Sequence, residues 1–405
     1  MDSADVHVPL AQGAARAPAA GNLICGMRRR VAAVVAAGAV AAVTLLVVLP
    51  VVLVPHNGGG GGGGGGGRAH ASGQGDGYQY WCVGTSCSSY VTVVPTAGYN
   101  YAGGGTDVDD AFAWMAASAQ YGDFLILRTS GSDGYNDYID ALTGYRMNSI
   151  TSILITAAPG ASAAFVLDAV AAADTIFLAG GDQTLYAQLF PGTPLAAALR
   201  ARAANVTVGG TSAGAMYLGH IVFTPPSDAD SVTSAIALAD PYAPAIQFNP
   251  SLFTVPVFAT GGARRVLVDT HFAQRDRMGR LLTFGSRLVQ DGNVSVAGGQ
   301  CVYMVAMNEA SAFLISPTGH APLVGGDDTS TGYVCTLCTA PTTCLPSTPL
   351  TAGPFDCQRL SRASHDAFNF QTWSGSGDPF TLSVVNGTIV GDPYGPPTLA
   401  FAKQQ

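Results

Sequence analysis

The chain has 405 residues, enough for one large core or two modest ones, with a formal charge of −8 and 11% charged against 48% apolar residues. No stretch is dense in lysine and arginine, which argues against a nucleic-acid partner. The acidic balance bears on solubility and steering rather than on fold.

Arg28, Arg29 and Arg30 precede an uncharged apolar run over 31–54. The run is longer than the ~20 residues that span a bilayer, and longer than the apolar region of a cleavable signal. The basic flank predicts a cytoplasmic tail over 1–30, a transmembrane signal-anchor over 31–54 and a body facing the outside or a lumen. An organelle leader, or secretion after cleavage, is the alternative. Ten glycines at 58–67 lie in a stretch, 55–76, whose backbone entropy predicts a flexible linker.

From about residue 89, strand-like and helix-like runs alternate. "YVTVV" reads as a strand before the helix "DVDDAFAWMAASAQ", where Val108, Phe112, Met115 and Ala116 recur at helical spacing. "DFLILRTS" and "SITSILIT" read as strands, "ASAAFVLDAVAAA" as a helix and "TIFLAGG" as a strand. "DQTLYAQLF" and "TPLAAALRARAA" read as helices; "VTVGG" is a strand entering the helix "TSAGAMYLGH", and "RRVLVDT" a strand before "FAQRDRMGRLLTFGSRLVQ". Such alternation predicts an α/β fold with a mostly parallel sheet and helices on both faces. Ligands of such sheets bind at the carboxyl ends of the strands, where "GGDQ", "GGTSAG" and "DTHFAQRDR" fall.

Seven of eight cysteines follow the apolar run: Cys82, Cys87, Cys301, Cys335, Cys338, Cys344 and Cys357. Cys335-x-x-Cys338 could suit zinc, but no second pair follows at finger spacing, so disulfides with one thiol left over are expected. No metal site and no cofactor motif is expected. Sequons stand at Asn205, Asn293 and Asn386, Asn205 being the weakest because it abuts a strand expected to be buried. Residues 331–405 read as a Cys-rich β extension, a disulfide-pinned loop followed by a hairpin closing over the sheet with Asn386-Gly387 as its turn.

Gly210-Thr211-Ser212-Ala213-Gly214 fits G-x-S-x-G at a strand-to-helix junction, where small neighbours let one hydroxyl project from a strained turn. Helix-start N–H groups behind it suit the oxyanion of acyl transfer. A simple Gly/Ser cap is the structural alternative. Among the histidines, His271 ends an apolar strand and is the candidate base; His220 reads as locally packed, and His320 and His365 as exposed.

"GGTSAGAM", "FLAGGDQTLY" and "DTHFAQRDRMGRL", with "GGGTDVDDAFAWM", "GDFLILRTSGSDGYN" and "NEASAFLI", resemble the cyanophycinase-like exopeptidases of peptidase family S51 over roughly residues 90–325. The resemblance implies a class I glutamine-amidotransferase-like fold, a catalytic domain over 77–330, a serine exopeptidase mechanism and an aspartyl or isoaspartyl peptide substrate, with a homodimer common in the family. It implies Ser212 as nucleophile, His271 as base, and N–H groups of Ala213 and Gly181 as oxyanion donors. Gln183, Asp269, Arg275, Arg277 and Arg280 match substrate-pocket positions; ion pairing of an arginine with Asp269 or Asp276 is the structural alternative. Thr270 stands where cyanophycinase has glutamine. The family acid lies downstream of the elbow, where no glutamate occurs before His271. Asp230 aligns best, ahead of Asp228 and Asp240. A binding protein for acidic peptides that kept the fold but lost turnover is the rival reading. An α/β-hydrolase esterase fits less well, because its histidine would lie further downstream.

Overall fold

In the computed structural model the described residues are 68–226, 232–253 and 264–395. They open with β1 (Ala69–Gly75) and β2 (Tyr78–Gly84), an antiparallel hairpin about Asp76-Gly77. Residues 69–75 thus form a strand inside the stretch whose composition predicts a linker. The strand expected over 90–94 is instead an exposed loop, with Val94 79% accessible. The neighbouring strand is β3 (Gly98–Ala102), all of it buried. Glycine and asparagine conceal β3 from propensity. Close packing requires the glycine, since a Cβ at Gly98 would press on the Trp114 ring and the Ile315 carbonyl.

Next come α1 (Asp109–Ser118), β4 (Asp123–Arg128), α2 (Asn136–Leu142), β5 (Ser149–Ile155), α3 (Ala164–Ala172) and β6 (Thr175–Leu178). They lead to α4 (Gln183–Leu189), α5 (Pro194–Ala203), β7 (Thr207–Thr211) and α6 (Ala213–Tyr217). All but α2 lie where the periodicity expects them, and α1 buries Phe112, Met115 and Ala116. The middle of the chain forms β8 (Ile221–Phe223), α7 (Ser234–Ala239), β9 (Phe248–Pro250), β10 (Arg265–Asp269), α8 (Met278–Gln290), β11 (Val302–Met307), β12 (Ser311–Ile315) and β13 (His320–Gly325). Last come β14 (Thr331–Leu337), β15 (Ala352–Ser361), β16 (Ala367–Asn369), β17 (Ser374–Gly375), β18 (Asp378–Val385) and β19 (Thr388–Val390).

Among the described residues these strands form two sheets, ordered β1-β2-β5-β4-β6-β7-β3-β12-β13-β16-β17 and β19-β18-β15-β14-β11-β10-β8-β9. Pairing is parallel through β5-β4-β6-β7-β3 and through β8-β10-β11, and antiparallel elsewhere. The expectation of one mostly parallel sheet is therefore corrected to a mixed α/β architecture with two large sheets. The cause is local: from β11 onward no helix intervenes between strands, and short links join antiparallel neighbours. Leu127, Leu178 and Val208 of the first sheet share a core with Val268, Val305 and Val334 of the second. Phe112 and Ile139 cover the first sheet's other face, and Leu281 and Phe284 that of the second.

Of the C-terminal strands, β14, β15, β18 and β19 extend the edge of the second sheet and β16 and β17 that of the first, and β18 and β19 meet through a two-residue Asn386-Gly387 turn. Among the described residues disulfides join Cys82 to Cys87, Cys301 to Cys338 and Cys335 to Cys357, and Cys344 is a buried thiol. All three sequon asparagines are exposed, Asn205 included.

The expected membrane anchor, and with it the membrane partner and the extracellular or luminal placement, is withdrawn. No helix among the described residues is long and apolar enough to cross a membrane, and residues 31–54, on which the expectation rested, lie outside them.

Candidate active site

The elbow is built by glycine. Between β7 and α6, Ser212 sits at φ 52° and ψ −120°, a conformation that strains any residue with a Cβ by about 1–3 kcal/mol. The strand and the returning helix touch there: a Cβ on Gly210 would lie 2.6 Å from the Gly214 carbonyl carbon, and one on Gly214 would overlap the Leu178 carbonyl. Because α6 is only five residues long, its free N–H groups matter more than its dipole.

Ser212 Oγ lies 2.8 Å from His271 Nε2, and His271 Nδ1 lies 2.7 Å from Glu309 Oε1. Three consecutive carbonyls, beginning at the last residue of β3, align this row. The Ala102 carbonyl accepts the Ser212 N–H at 3.1 Å, that of Gly103 the His271 N–H at 2.8 Å, and that of Gly104 the Ala310 N–H at 2.9 Å. Gly104 has no room for a side chain, since a Cβ there would lie 2.5 Å from His271 Nε2 and 3.0 Å from Ser212 Cβ. The Gly180-Gly181 turn also abuts the serine, with a Cβ at Gly180 3.4 Å from Ser212 Cβ and Gly181 at φ 146°.

His271 is itself at φ 48° and 8% accessible. Burial lowers its pKa, the Glu309 carboxylate raises it, and Arg275 and Arg277 lower it, leaving it below the ordinary histidine value. Glu309 is held by its backbone N–H, which donates to Gln274 Oε1 at 3.1 Å, and neighbouring Asn308 Oδ1 accepts the Ala273 N–H at 2.9 Å.

The other sequence-expected residues divide into two groups. Arg275 stays on the rim, its Nε 3.9 Å from Glu309 Oε1. Asp269, Arg277, Arg280 and Gln183 are buried. Arg280 grips Asp269 through Nε to Oδ2 at 2.8 Å and Nη2 to Oδ1 at 2.5 Å, and packs its guanidinium against the Phe223 and Phe284 rings. Arg277 Nη1 donates to the Thr270 carbonyl at 2.8 Å, and Gln183 Nε2 to that of Phe223 at 3.0 Å. Burial pushes the Asp269 carboxyl up, but Arg280 first, then Arg277 and the Thr270 N–H, bring it below its ordinary value. His220 is part-buried and its pKa is lowered to about 4 by burial and by Arg265. Its Nδ1 accepts the Val266 N–H at 3.4 Å, whereas His320 and His365 are exposed.

Asp230 and Asp228, the first two candidates for the acid, lie outside the described residues. Asp240 accepts N–H bonds from Tyr242 and Ser347 through Oδ1. The carboxylate at His271 belongs to Glu309, which sequence reasoning passed over. Two signals were present: it lies in the "NEASAFLI" resemblance, and it is the only glutamate in the 405 residues.

Removing one member of a buried ion pair costs about 3–5 kcal/mol. Arg280→Met is expected to destabilise by that order, read as a lower urea midpoint. The stabilisation that Asp269 draws from its depressed pKa is present above its unfolded-state value and lost as pH falls through the folded one. The gap between wild type and variant should therefore narrow in acid.

No protein-family model matches the chain. A cyanophycinase from Geminocystis herdmanii is 36% identical over 110 residues, which are 27% of this chain and 34% of that protein. A cyanophycinase from Trichormus variabilis is 29% identical over 110 residues, 27% of this chain and 31% of that one. The chain thus spans about a third of the length of the curated relatives it matches. A solved peptidase from an acI-B1 Actinobacterium aligns with a TM-score of 0.40 at 17% identity, covering 66% of this chain and 98% of its own. By its motifs and by the 36% and 29% sequence identities over 110 residues, the chain is similar to the cyanophycinases.

Proposed function

We propose that the chain is a serine exopeptidase resembling cyanophycinase, hydrolysing aspartyl or isoaspartyl peptide bonds on a class I glutamine-amidotransferase-like scaffold. One observation carries the reading: the unbroken row from Ser212 Oγ through His271 to Glu309 Oε1, at 2.8 and 2.7 Å. In this reading His271 Nε2 takes the Ser212 proton as Oγ attacks the scissile carbonyl, and Glu309 stabilises the resulting imidazolium from Nδ1. The oxyanion is held by the Ala213 N–H at the start of α6 and the Gly181 N–H of the adjoining turn. The imidazolium then protonates the leaving amine, the C–N bond breaks, and water hydrolyses the acyl-serine with His271 again as base. Glu309 takes the part for which the sequence alone suggests Asp230.

A fluorophosphonate probe tests the reading directly, with labelling expected at Ser212. Absence of labelling on folded protein would favour a peptide-binding protein instead. The pH profile adds a second check. His271 must be neutral to accept a proton, and its pKa is depressed, so kcat/KM for an aspartyl dipeptide should fall only below the ordinary histidine pKa. An acid limb above that value would contradict the assignment.

A further inference from the structure

We infer that Arg128 recognises the carboxylate of the substrate aspartyl residue that is not part of the scissile bond, an inference that rests on the peptidase reading and deepens it. Arg128 ends β4. Leu127 pairs with Leu178, and Leu178 with Gly210, so this strand end lies two strand spacings, roughly 10 Å, across the sheet from that of β7. The space between is bridged by contact. A Cβ at Gly181 would lie 2.7 Å from Ser130 Oγ, and one at Gly180 3.4 Å from Ser212 Cβ, which makes the loop after Arg128, the glycine turn and the serine consecutive neighbours. The buried Tyr186 hydroxyl fixes the separation, lying 3.1 Å from the Leu127 carbonyl and 2.8 Å from that of Ala179.

The Arg128 guanidinium is oriented without being neutralised. Nε donates to the Ser130 carbonyl at 2.5 Å and Nη1 to that of Ser132, so the loop wraps around it through uncharged acceptors. Gly131, at φ 82°, leaves the space that Nη2 fills, because a Cβ there would overlap it. Among the described residues no carboxylate pairs with Arg128 and Nη2 meets no acceptor, whereas Arg280 is gripped by Asp269 and Arg275 stands near Glu309. A half-buried cation held by neutral carbonyls beside a nucleophile keeps its charge for an incoming anion, and a guanidinium edge suits a carboxylate.

The test is binding, so that it does not depend on turnover. Asp-Leu and Asn-Leu, which differ by a carboxylate against a carboxamide, are titrated calorimetrically into the full chain carrying Ser212→Ala, with and without Arg128→Gln or Arg128→Lys. Asp-Leu is expected to bind at least roughly tenfold more tightly than Asn-Leu, as a charged hydrogen bond implies. Arg128→Gln should remove that gap by weakening Asp-Leu far more than Asn-Leu, and Arg128→Lys should keep part of it. A gap that survives Arg128→Gln, an equal loss for both dipeptides, or no binding of either overturns the inference. Probe labelling of Ser212 in the unaltered chain reports separately on whether the peptidase reading stands.

Discussion

Replacing Ser212 by alanine is expected to lower kcat/KM for an aspartyl dipeptide by on the order of 10⁶, the loss that follows removal of a serine nucleophile. The substitution deletes one oxygen and keeps the Cβ, so the strained backbone at φ 52° and the Gly210–Gly214 contact are unchanged. Thermal unfolding should accordingly match wild type, and the residual rate should reflect binding and oxyanion stabilisation alone. The measurement is dipeptide hydrolysis beside a melting curve. Turnover within tenfold of wild type would remove Ser212 from the chemistry, since its Oγ is the hydroxyl at hydrogen-bond distance from His271 Nε2.

The parallel centre was legible because its strands are continuous apolar runs that end in polar or glycine clusters, as in "DFLILRTS" and "TIFLAGG". Period and length then separate them from the helices between. The rest was hidden for identifiable reasons. β3 is spelled with glycine, tyrosine and asparagine, and its burial comes from β7 and β12 on either side. β1 reads as linker by composition, yet pairs along its whole length with β2. The second sheet arises because β10 and β11 pair with strands that lie beyond intervening helices or strands, as Leu267 does with Ile221 and Arg265 with Val302, a relation that no local pattern encodes.

The site shows the same division. Ser212 and His271 announce themselves by the turn and by the end of an apolar strand. Arg277 and Arg280 share a local stretch, but whether they face solvent depends on Asp269 and on the rings of Phe223 and Phe284 behind them. Glu309 is the least local feature of the row. It follows β11, a neighbour of β10 in the second sheet, and reaches His271 only because that parallel pairing sets the two strand ends side by side.

Glu309→Gln is the second decisive change, with an expected loss in kcat of about 10⁴, as when an acid that orients an imidazole becomes an amide. Glutamine keeps the length and the contact with Nδ1 but brings no charge to stabilise the imidazolium, and its NH2 favours the wrong tautomer. Asp230→Asn in parallel should leave kcat near wild type; the opposite pattern would return the acid to Asp230. A pH profile separates chemistry from mere disturbance. The Glu309 carboxylate raises the His271 pKa against burial, so its removal should carry the acid limb of the remaining activity further down in pH. A variant that had only loosened the loop would expose His271, relieve its burial and move the limb the other way. Glu309→Asp supplies the control: with the charge kept but the reach shortened, it should recover part of the rate and return the acid limb toward that of wild type.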